Sequence, residues 1–337
     1  MRWSGIYGHD AIKEHLRRSL ATGRVAHAYA LVGPEGVGKR AVARLFAQAL
    51  LCSGPEGGEP CGRCRACRQV EKGLHPDGHW IEPRDGTIGI DQVRELQREL
   101  ALKPYEAERK TAVIDGADAM TTAAQNSLLK TLEEPAGHTV ILLVASNPSA
   151  LLPTVLSRCQ VLRFQPLPPE TVAAFLVDQG VSGEAARVAA ALSGGSIARA
   201  LAATSQDFLE LRRRVASWVD ALLDRSRSLR SVLLVGEELE KERERVEDFL
   251  NLFFVWLRDL LLVREGAEAA VANYDVLARL RQQASALRSE GLARALDEVE
   301  RARTRLRANA NFRLTVDVML TNVQRSLAHD TSGGSPL

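Results

Sequence analysis

Apolar positions along this chain fall into two regimes. Through residues 1–165, short apolar runs alternate with amphipathic segments. Tyr29–Val32 is an apolar run that leads straight into a glycine-rich turn, and Lys39–Leu51 then places Val42, Leu45, Phe46, Ala49 and Leu50 at helical spacing. Thr111–Ile114 and Val140–Ala145 are further runs, short enough to be strands buried on both faces. Between them Thr122–Glu134 predicts a helix, with Leu128, Leu129 and Leu132 along one side and Pro135 as its stop. Pro153–Ser157 predicts a short helix, and Gln160–Phe164 another strand. Strands alternating with helices predict an α/β domain built on a parallel sheet.

The segment Gln165-Pro166-Leu167-Pro168-Pro169-Glu170 closes that regime. Beyond it the strand signals vanish. Thr171–Gln179, Glu184–Leu192 and Ser196–Ala203 predict a small helical unit. Residues 207–329 carry longer stripes: Phe208, Leu211, Val215, Trp218, Val219 and Leu222 form one, and Val246, Phe249, Leu250, Phe253, Leu257, Leu260 and Leu261 another. The expected organisation is an α/β domain at 1–165, a helical unit at 166–205, an all-α domain at 206–330 and a small polar, disordered tail at 331–337.

Composition narrows the classes. A chain of 337 residues with 45% hydrophobic and 26% charged residues is an ordinary globular protein. A net charge of +2 gives no bulk argument for nucleic-acid binding. No apolar run approaches the roughly 20 residues that cross a bilayer, and MRWSGIYGHD lacks the apolar core of a secretion signal. A soluble cytoplasmic protein with no membrane contact is expected.

Four of the five cysteines cluster as Cys52, Cys61, Cys64 and Cys67, a C-x₈-C-x₂-C-x₂-C spacing in a loop-like stretch containing Gly54, Pro55, Gly57, Gly58 and Pro60. Four thiolates at this density match a closed, structural Zn²⁺ site that would fold a segment lacking a core of its own. They leave no open position for catalysis. Cys159 stands apart and is expected to be a buried small hydrophobe.

The glycine-rich turn reads Gly33-Pro34-Glu35-Gly36-Val37-Gly38-Lys39-Arg40. It is a phosphate-binding loop up to its last letter. Such loops end in Ser or Thr, whose hydroxyl ligates Mg²⁺, after a Lys that contacts the β- and γ-phosphates. Arg40 is a cation with no lone pair to give a metal. Downstream, Asp115 closes the apolar run Thr111–Ile114, where a metal-binding Asp belongs. Gly116 follows, where an active enzyme usually carries Glu. Asp115 and Asp118 are equally readable as caps of a strand–helix turn.

Taken together, HAYALVGPEGVGKR (27–40), the cysteine cluster, GIDQVRELQREL (89–100), NSLLKTLEEP (126–135) and LLPTVLSRCQ (151–160) resemble the clamp-loader subunits of bacterial DNA polymerase III. The resemblance is closest to the δ′ type and covers the whole first domain; ERARTRLRANANFRL (300–314) matches loosely. It implies a RecA-like AAA+ domain carrying the zinc loop, then a helical lid and a helical collar that oligomerises. It implies γ/τ and δ subunits as partners, with the sliding clamp and primer–template DNA reached through the complex. The γ/τ type resembles an intact loop ending Gly-Lys-Thr or Gly-Lys-Ser, with Asp-Glu on the second strand and a long extension. Arg40 and Gly116 depart from it, and no such extension follows here. Retained Gly33, Gly36, Gly38 and Lys39 leave ATP or ADP binding without hydrolysis open.

Ser157-Arg158-Cys159 is similar to the loader's SRC motif, which implies that Arg158 reaches a neighbouring subunit's ATP as an arginine finger, its permanent planar charge offsetting that of the γ-phosphoryl group. On position alone, Arg158 is an Arg at the end of a short helix, bonded to terminal carbonyls. Arg199 resembles the lid Arg that senses nucleotide, and reads equally as a solvated helix residue. Arg301, Arg303, Arg305 and Arg307 are expected on a solvated surface. The competing expectations are an active γ/τ-like ATPase using Lys39 and Asp115, and a zinc-containing nucleic-acid adaptor.

Overall fold

The computed structural model describes residues 2–135, 137–223 and 229–328. The tail expected at 331–337 lies outside the described residues. The chain divides into two compact units. One comprises the residues up to Phe175 together with Gly194–Arg199; the other comprises Leu176–Ser193 and the residues from Ala200 onward.

In the first unit, β1 (Ala28–Val32), β2 (Gly78–Ile81), β3 (Lys110–Asp115), β4 (Thr139–Ala145) and β5 (Gln160–Arg163) form one sheet in the order β2-β3-β4-β1-β5. Every pairing is parallel. The helices are α1 (Asp10–Ala21), α2 (Lys39–Leu51), α3 (Arg65–Glu71), α4 (Ile90–Ala101), α5 (Thr122–Glu133) and α6 (Pro153–Leu156). This is the α/β parallel-sheet class expected of an AAA+ domain.

The strand period of two divides the side chains between two cores. Ala28, Ala30 and Val32 of β1 meet Ile141 and Leu143 of β4 on the face covered by Val93 and Leu96 of α4 and Leu128 and Leu132 of α5. Tyr29 and Leu31 meet Leu142 and Val144 on the face covered by Val42, Leu45 and Phe46 of α2. Because both faces are covered, β1 and β4 are buried at every residue, which is why their sequences are continuous apolar runs. β2 went unpredicted. It is the edge strand, half-buried throughout, and its Gly78-His79-Trp80-Ile81 carries no apolar run. All strands being parallel, Gly33, Asp115 and Ser146 gather at the carboxyl edge of the sheet, where open α/β sheets bind ligands.

Asp77 anchors the approach to that sheet from the other end. It is fully buried. Its carboxylate accepts from the backbone N–H of Tyr105 at 2.7 Å and of Glu106 and Ala107 at 2.8 Å each. Burial works to raise its pKa, but these three donors hold it below the ordinary carboxylate range.

The second unit is helical. It holds α8 (Gly183–Leu192), α10 (Gln206–Leu223), α11 (Leu229–Lys241), α12 (Val246–Arg264), α13 (Leu277–Ala284), α14 (Ser289–Arg307) and α15 (Phe312–Ala328); α7 (Pro169–Asp178) and α9 (Ile197–Ala202) run across the division. Both predicted stripes enter one core with Leu292, Val299 and Val316, with Phe208, Val246 and Leu261 at its margin. One surface expectation is corrected: Arg303 is only 15% exposed, because Asn251 of α12, at 2.9 Å, and Glu300, at 2.5 Å, accept from its guanidinium.

Asp77→Ala strands three backbone donors and is expected to cost about 3 kcal/mol of stability at neutral pH. The carboxyl's folded pKa lies below its unfolded value, so its contribution is present above about pH 4 and is lost as the pH falls through the folded pKa. Urea unfolding between pH 3 and 7 should show the gap between wild type and variant closing toward acid; a pH-independent gap would contradict the assignment.

Candidate functional site

The phosphate loop joins β1 to α2, as its sequence requires, and the structure brings Gly33, Gly36, Gly38, Lys39, Arg40 and Asp115 together at the carboxyl edge. The groups that a nucleotide would need are engaged with one another. Lys39 is buried, and its ammonium donates to the carbonyls of Gly33 at 2.7 Å and Pro34 at 2.6 Å, with the Ser146 hydroxyl at 3.4 Å. An ammonium has three donors, and all three point within the chain. Burial lowers the Lys39 pKa, while Asp118, Glu35 and Asp115 pull it back up.

Arg40 takes the metal's neighbourhood. Its guanidinium lies 3.1 Å from Asp115 Oδ2, pairs with Glu82 just after β2, and sits over the Trp80 ring with the centroid at 5.4 Å. The Asp115 contact is ionic: Oδ2 is buried and has no aligned hydrogen-bond donor. Burial raises the Asp115 pKa; Arg40 lowers it and Glu82 raises it, and the net direction is upward. A divalent cation about 4 Å from a fixed guanidinium would meet repulsion of several kcal/mol even at an effective dielectric constant of ~20.

Two glycines of the site have backbones and surroundings that leave little room for a side chain. Gly116 has φ +75°, and a Cβ there would stand 3.0 Å from Pro83 Cγ, so a Glu at this position would be strained. Gly36 has φ +74°, and a Cβ there would stand 2.2 Å from Ser196 Oγ. The Gly36 carbonyl accepts from the Ala198 N–H at 3.3 Å. The segment before and into α9 therefore packs directly on the phosphate loop. Arg199 follows in α9 with an exposed side chain. Asp118 does not cap the turn after β3; it ties that turn to the end of β4, its carboxylate accepting from the N–H groups of Ser146 at 3.2 Å and Asn147 at 2.9 Å.

The four cysteines also come together. Their sulfurs all lie within 4.8 Å of one another, and those of Cys52 and Cys64 are 4.0 Å apart. A tetrahedral thiolate site with metal–sulfur bonds of about 2.3 Å has sulfurs about 3.8 Å apart, so the set fits a metal. Backbone N–H groups of Cys61, Cys64 and Cys67 are aimed at the sulfurs of Cys52, Cys61 and Cys64 at 3.3–3.4 Å. Burial raises the thiols of Cys52 and Cys67 and works the same way on Cys64, but donors from Cys67 and Ser53 draw Cys64 down, so the four sulfurs titrate as one set. The stretch is not wholly loop: α3 begins at Arg65 and carries Cys67. The module is fastened to the domain by the Trp3 indole N–H donating to the Gly58 carbonyl at 2.9 Å and by Gln48 donating to the Cys67 carbonyl at 3.1 Å.

Arg158 lies apart from these groups, just after α6. Its guanidinium donates to the Thr154 carbonyl at 2.8 Å and to Glu133 of α5 at 2.5 Å. Within the single chain it bonds the helix-end carbonyl that its position implied. Cys159 is partly buried, packed at the edge of the apolar core, and burial pushes its thiol to about 12. Sequence reasoning missed Glu82, just after the edge strand, Ser146, just after β4, and Glu133, which sits within Asn126–Pro135 with no mark of its role.

Comparison with known proteins assigns the family. A family model described as "DNA polymerase III, delta subunit" matches residues 8–168, and one described as "DNA polymerase III, delta subunit, C terminal" matches residues 206–325. DNA polymerase III subunit delta′ of Bacillus subtilis (strain 168) is 32% identical over 313 residues, 92% of this chain and 94% of that protein. The chain belongs to the DNA polymerase III delta′ subunit family. The delta′ subunit of Escherichia coli (strain K12) is 31% identical over 97% of both chains. DNA polymerase III subunit tau of B. subtilis is 31% identical over 51% of this chain and 30% of that protein. In this delta′ family member the phosphate loop carries Arg40 in contact with Asp115.

Arg40→Thr removes the guanidinium and restores a hydroxyl. The variant is expected to gain at least about tenfold in nucleotide affinity on adding Mg²⁺, equivalent to ~1.4 kcal/mol, whereas the wild type gains nothing. Titration with a fluorescent ATP analogue with and without Mg²⁺ checks this; a variant that stays insensitive to Mg²⁺ would show that something other than Arg40 excludes the metal.

Proposed function

We propose that this chain acts as the δ′-type subunit of a DNA polymerase III clamp loader. In that role it assembles with γ/τ and δ subunits into the complex that opens the sliding clamp and loads it on primer–template DNA. Its own phosphate loop does not turn over ATP. The observation that carries this reading is the Arg40–Asp115 ion pair at the position of the metal, in a chain whose delta′ relatives align along nearly its whole length. Gly33, Gly36, Gly38, Lys39, Arg40, Asp115 and Arg199 line a degenerate nucleotide site. ATP or ADP entering it would have to displace the carbonyls that hold Lys39. An active γ/τ-like ATPase is disfavoured by the same ion pair and by the left-handed backbone at Gly116.

The catalytic contribution lies in Arg158, supplied in trans as an arginine finger. A guanidinium placed against a neighbour's γ-phosphoryl oxygens stabilises charge as the group transfers, an effect worth about 10³–10⁵ in rate in well-studied GTPases. Its side chain is 35% exposed, with one edge anchored to Thr154 and Glu133, so part of it is open to a partner. Cys52, Cys61, Cys64 and Cys67 hold structural Zn²⁺, which fixes the loop between α2 and α3 against Trp3. Residues 1–165, 166–205 and 206–330 serve as AAA+ domain, lid and collar, and a cytoplasmic setting accompanies the role.

Two outcomes are expected. The purified chain should carry about one zinc per molecule by elemental analysis, and Cys64→Ser should lose it with a lower melting temperature; a metal-free wild type at full stability would refute the site. In a reconstituted complex, Arg158→Ala should lower clamp- and DNA-stimulated ATP turnover without impairing assembly. Unchanged turnover would remove the finger role.

A further inference from the structure

We propose that Glu133 is the positioning residue for Arg158, with α5 as the rail that sets the finger; the proposal rests on the reading of Arg158 as a trans-acting group.

Three contacts from α5 and the core beneath it fix the segment 150–158. Gln125 is buried, donates to the Ala150 carbonyl at 2.9 Å and accepts from the Leu152 N–H at 2.7 Å. It thereby sets where the chain enters α6. Val155, fully buried, roots α6 in the apolar core and sets its rotation. Glu133, two turns beyond Gln125 on α5, then takes one edge of the Arg158 guanidinium at 2.5 Å, while the Thr154 carbonyl takes a neighbouring N–H at 2.8 Å.

Glu133 is out of place by the rules of its own helix. It is the last residue of α5 and is followed by Glu134. A helix C-terminus favours cations, so acids there are locally unfavourable. Nor does the pair exist for stability. Its members are 35% and 49% exposed, and ion pairs at that exposure contribute little. An acid that conflicts with its helix and adds little to stability, yet accepts from the guanidinium beside the Thr154 carbonyl, is accounted for by orientation. A guanidinium has five donors in a rigid planar fork. Fixing one edge on a carboxylate and a carbonyl determines the direction of the rest, and removes the rotamer freedom that a finger would otherwise lose on meeting phosphate.

The test uses the reconstituted complex of full-length chains, with ATP turnover measured at saturating clamp and primed DNA. Variants Glu133→Ala, Glu133→Gln and Arg158→Ala are compared, along with the Glu133→Ala/Arg158→Ala double variant. Co-elution with partners and melting temperature verify assembly. Glu133→Ala is expected to lose at least about half of the turnover that Arg158→Ala loses, in kcat and not in KM. Glu133→Gln keeps an acceptor of the same length and is expected to recover much of that loss. In the Arg158→Ala background, Glu133→Ala is expected to add nothing, since residues that act as one unit are not additive. If Arg158→Ala lowers turnover and Glu133→Ala does not, positioning is overturned and the finger stands. If Glu133→Ala raises turnover, the carboxylate restrains Arg158 and the proposal is equally overturned. If Arg158→Ala itself changes nothing, the finger reading fails first.

Discussion

The contact between Arg40 and Asp115 is the constraint on which the functional reading depends. Where a phosphate loop ordinarily offers a hydroxyl to a metal, this chain offers a permanent cation, and the carboxylate that would share the metal faces that cation at 3.1 Å. The pair is reinforced from the edge strand by Glu82 and Trp80. Around it the remaining parts are self-satisfied: Lys39 bonds the loop's own carbonyls, and Ser196 and Ala198 pack on Gly36. These contacts support the proposal that the chain's own loop does not turn over ATP, since phosphoryl transfer requires open metal coordination.

Much of this was legible in the sequence, for physical reasons that also mark where legibility ends. β1, β3 and β4 are covered on both faces, so burial demands apolar residues at successive positions and the runs announce themselves. β2 is an edge strand, and half-burial permits Gly78 and His79. With β2 unread, Glu82 and Trp80 were unread too, so Arg40 was legible as a missing hydroxyl but not as the centre of an ion pair. The cysteine spacing implied a tetrahedral set, and the sulfurs converge as that spacing requires; the helix that begins at Arg65 was hidden by the glycines and prolines ahead of it. Gly116 read as a lost carboxylate, whereas its positive φ, visible only in three dimensions, is what makes a carboxylate there costly. Glu133 was quoted within a motif without a role, because its partner is 25 residues distant in sequence.

The sheet separates these tasks spatially. Its carboxyl edge carries the phosphate loop with the Arg40–Asp115 pair. The far end of α5 carries Glu133, and the turn after α6 carries Arg158. The loop between α2 and α3 carries the cysteines, tied back through Trp3 and Gln48. Because α5 starts beside the Asp118 turn and ends at Glu133, one helix spans the interval between the phosphate loop and the proposed working residue.

The central claim is that Arg158, and not the chain's own phosphate loop, serves ATP turnover. It is tested most directly by a structure of the assembled loader bound to a non-hydrolysable ATP analogue. The account predicts the Arg158 guanidinium within about 3 Å of a neighbouring subunit's γ-phosphate oxygen, the range of a charge-assisted hydrogen bond. An Arg158 remote from every nucleotide, with a metal-bound nucleotide seated on Lys39 and Asp115, would contradict it.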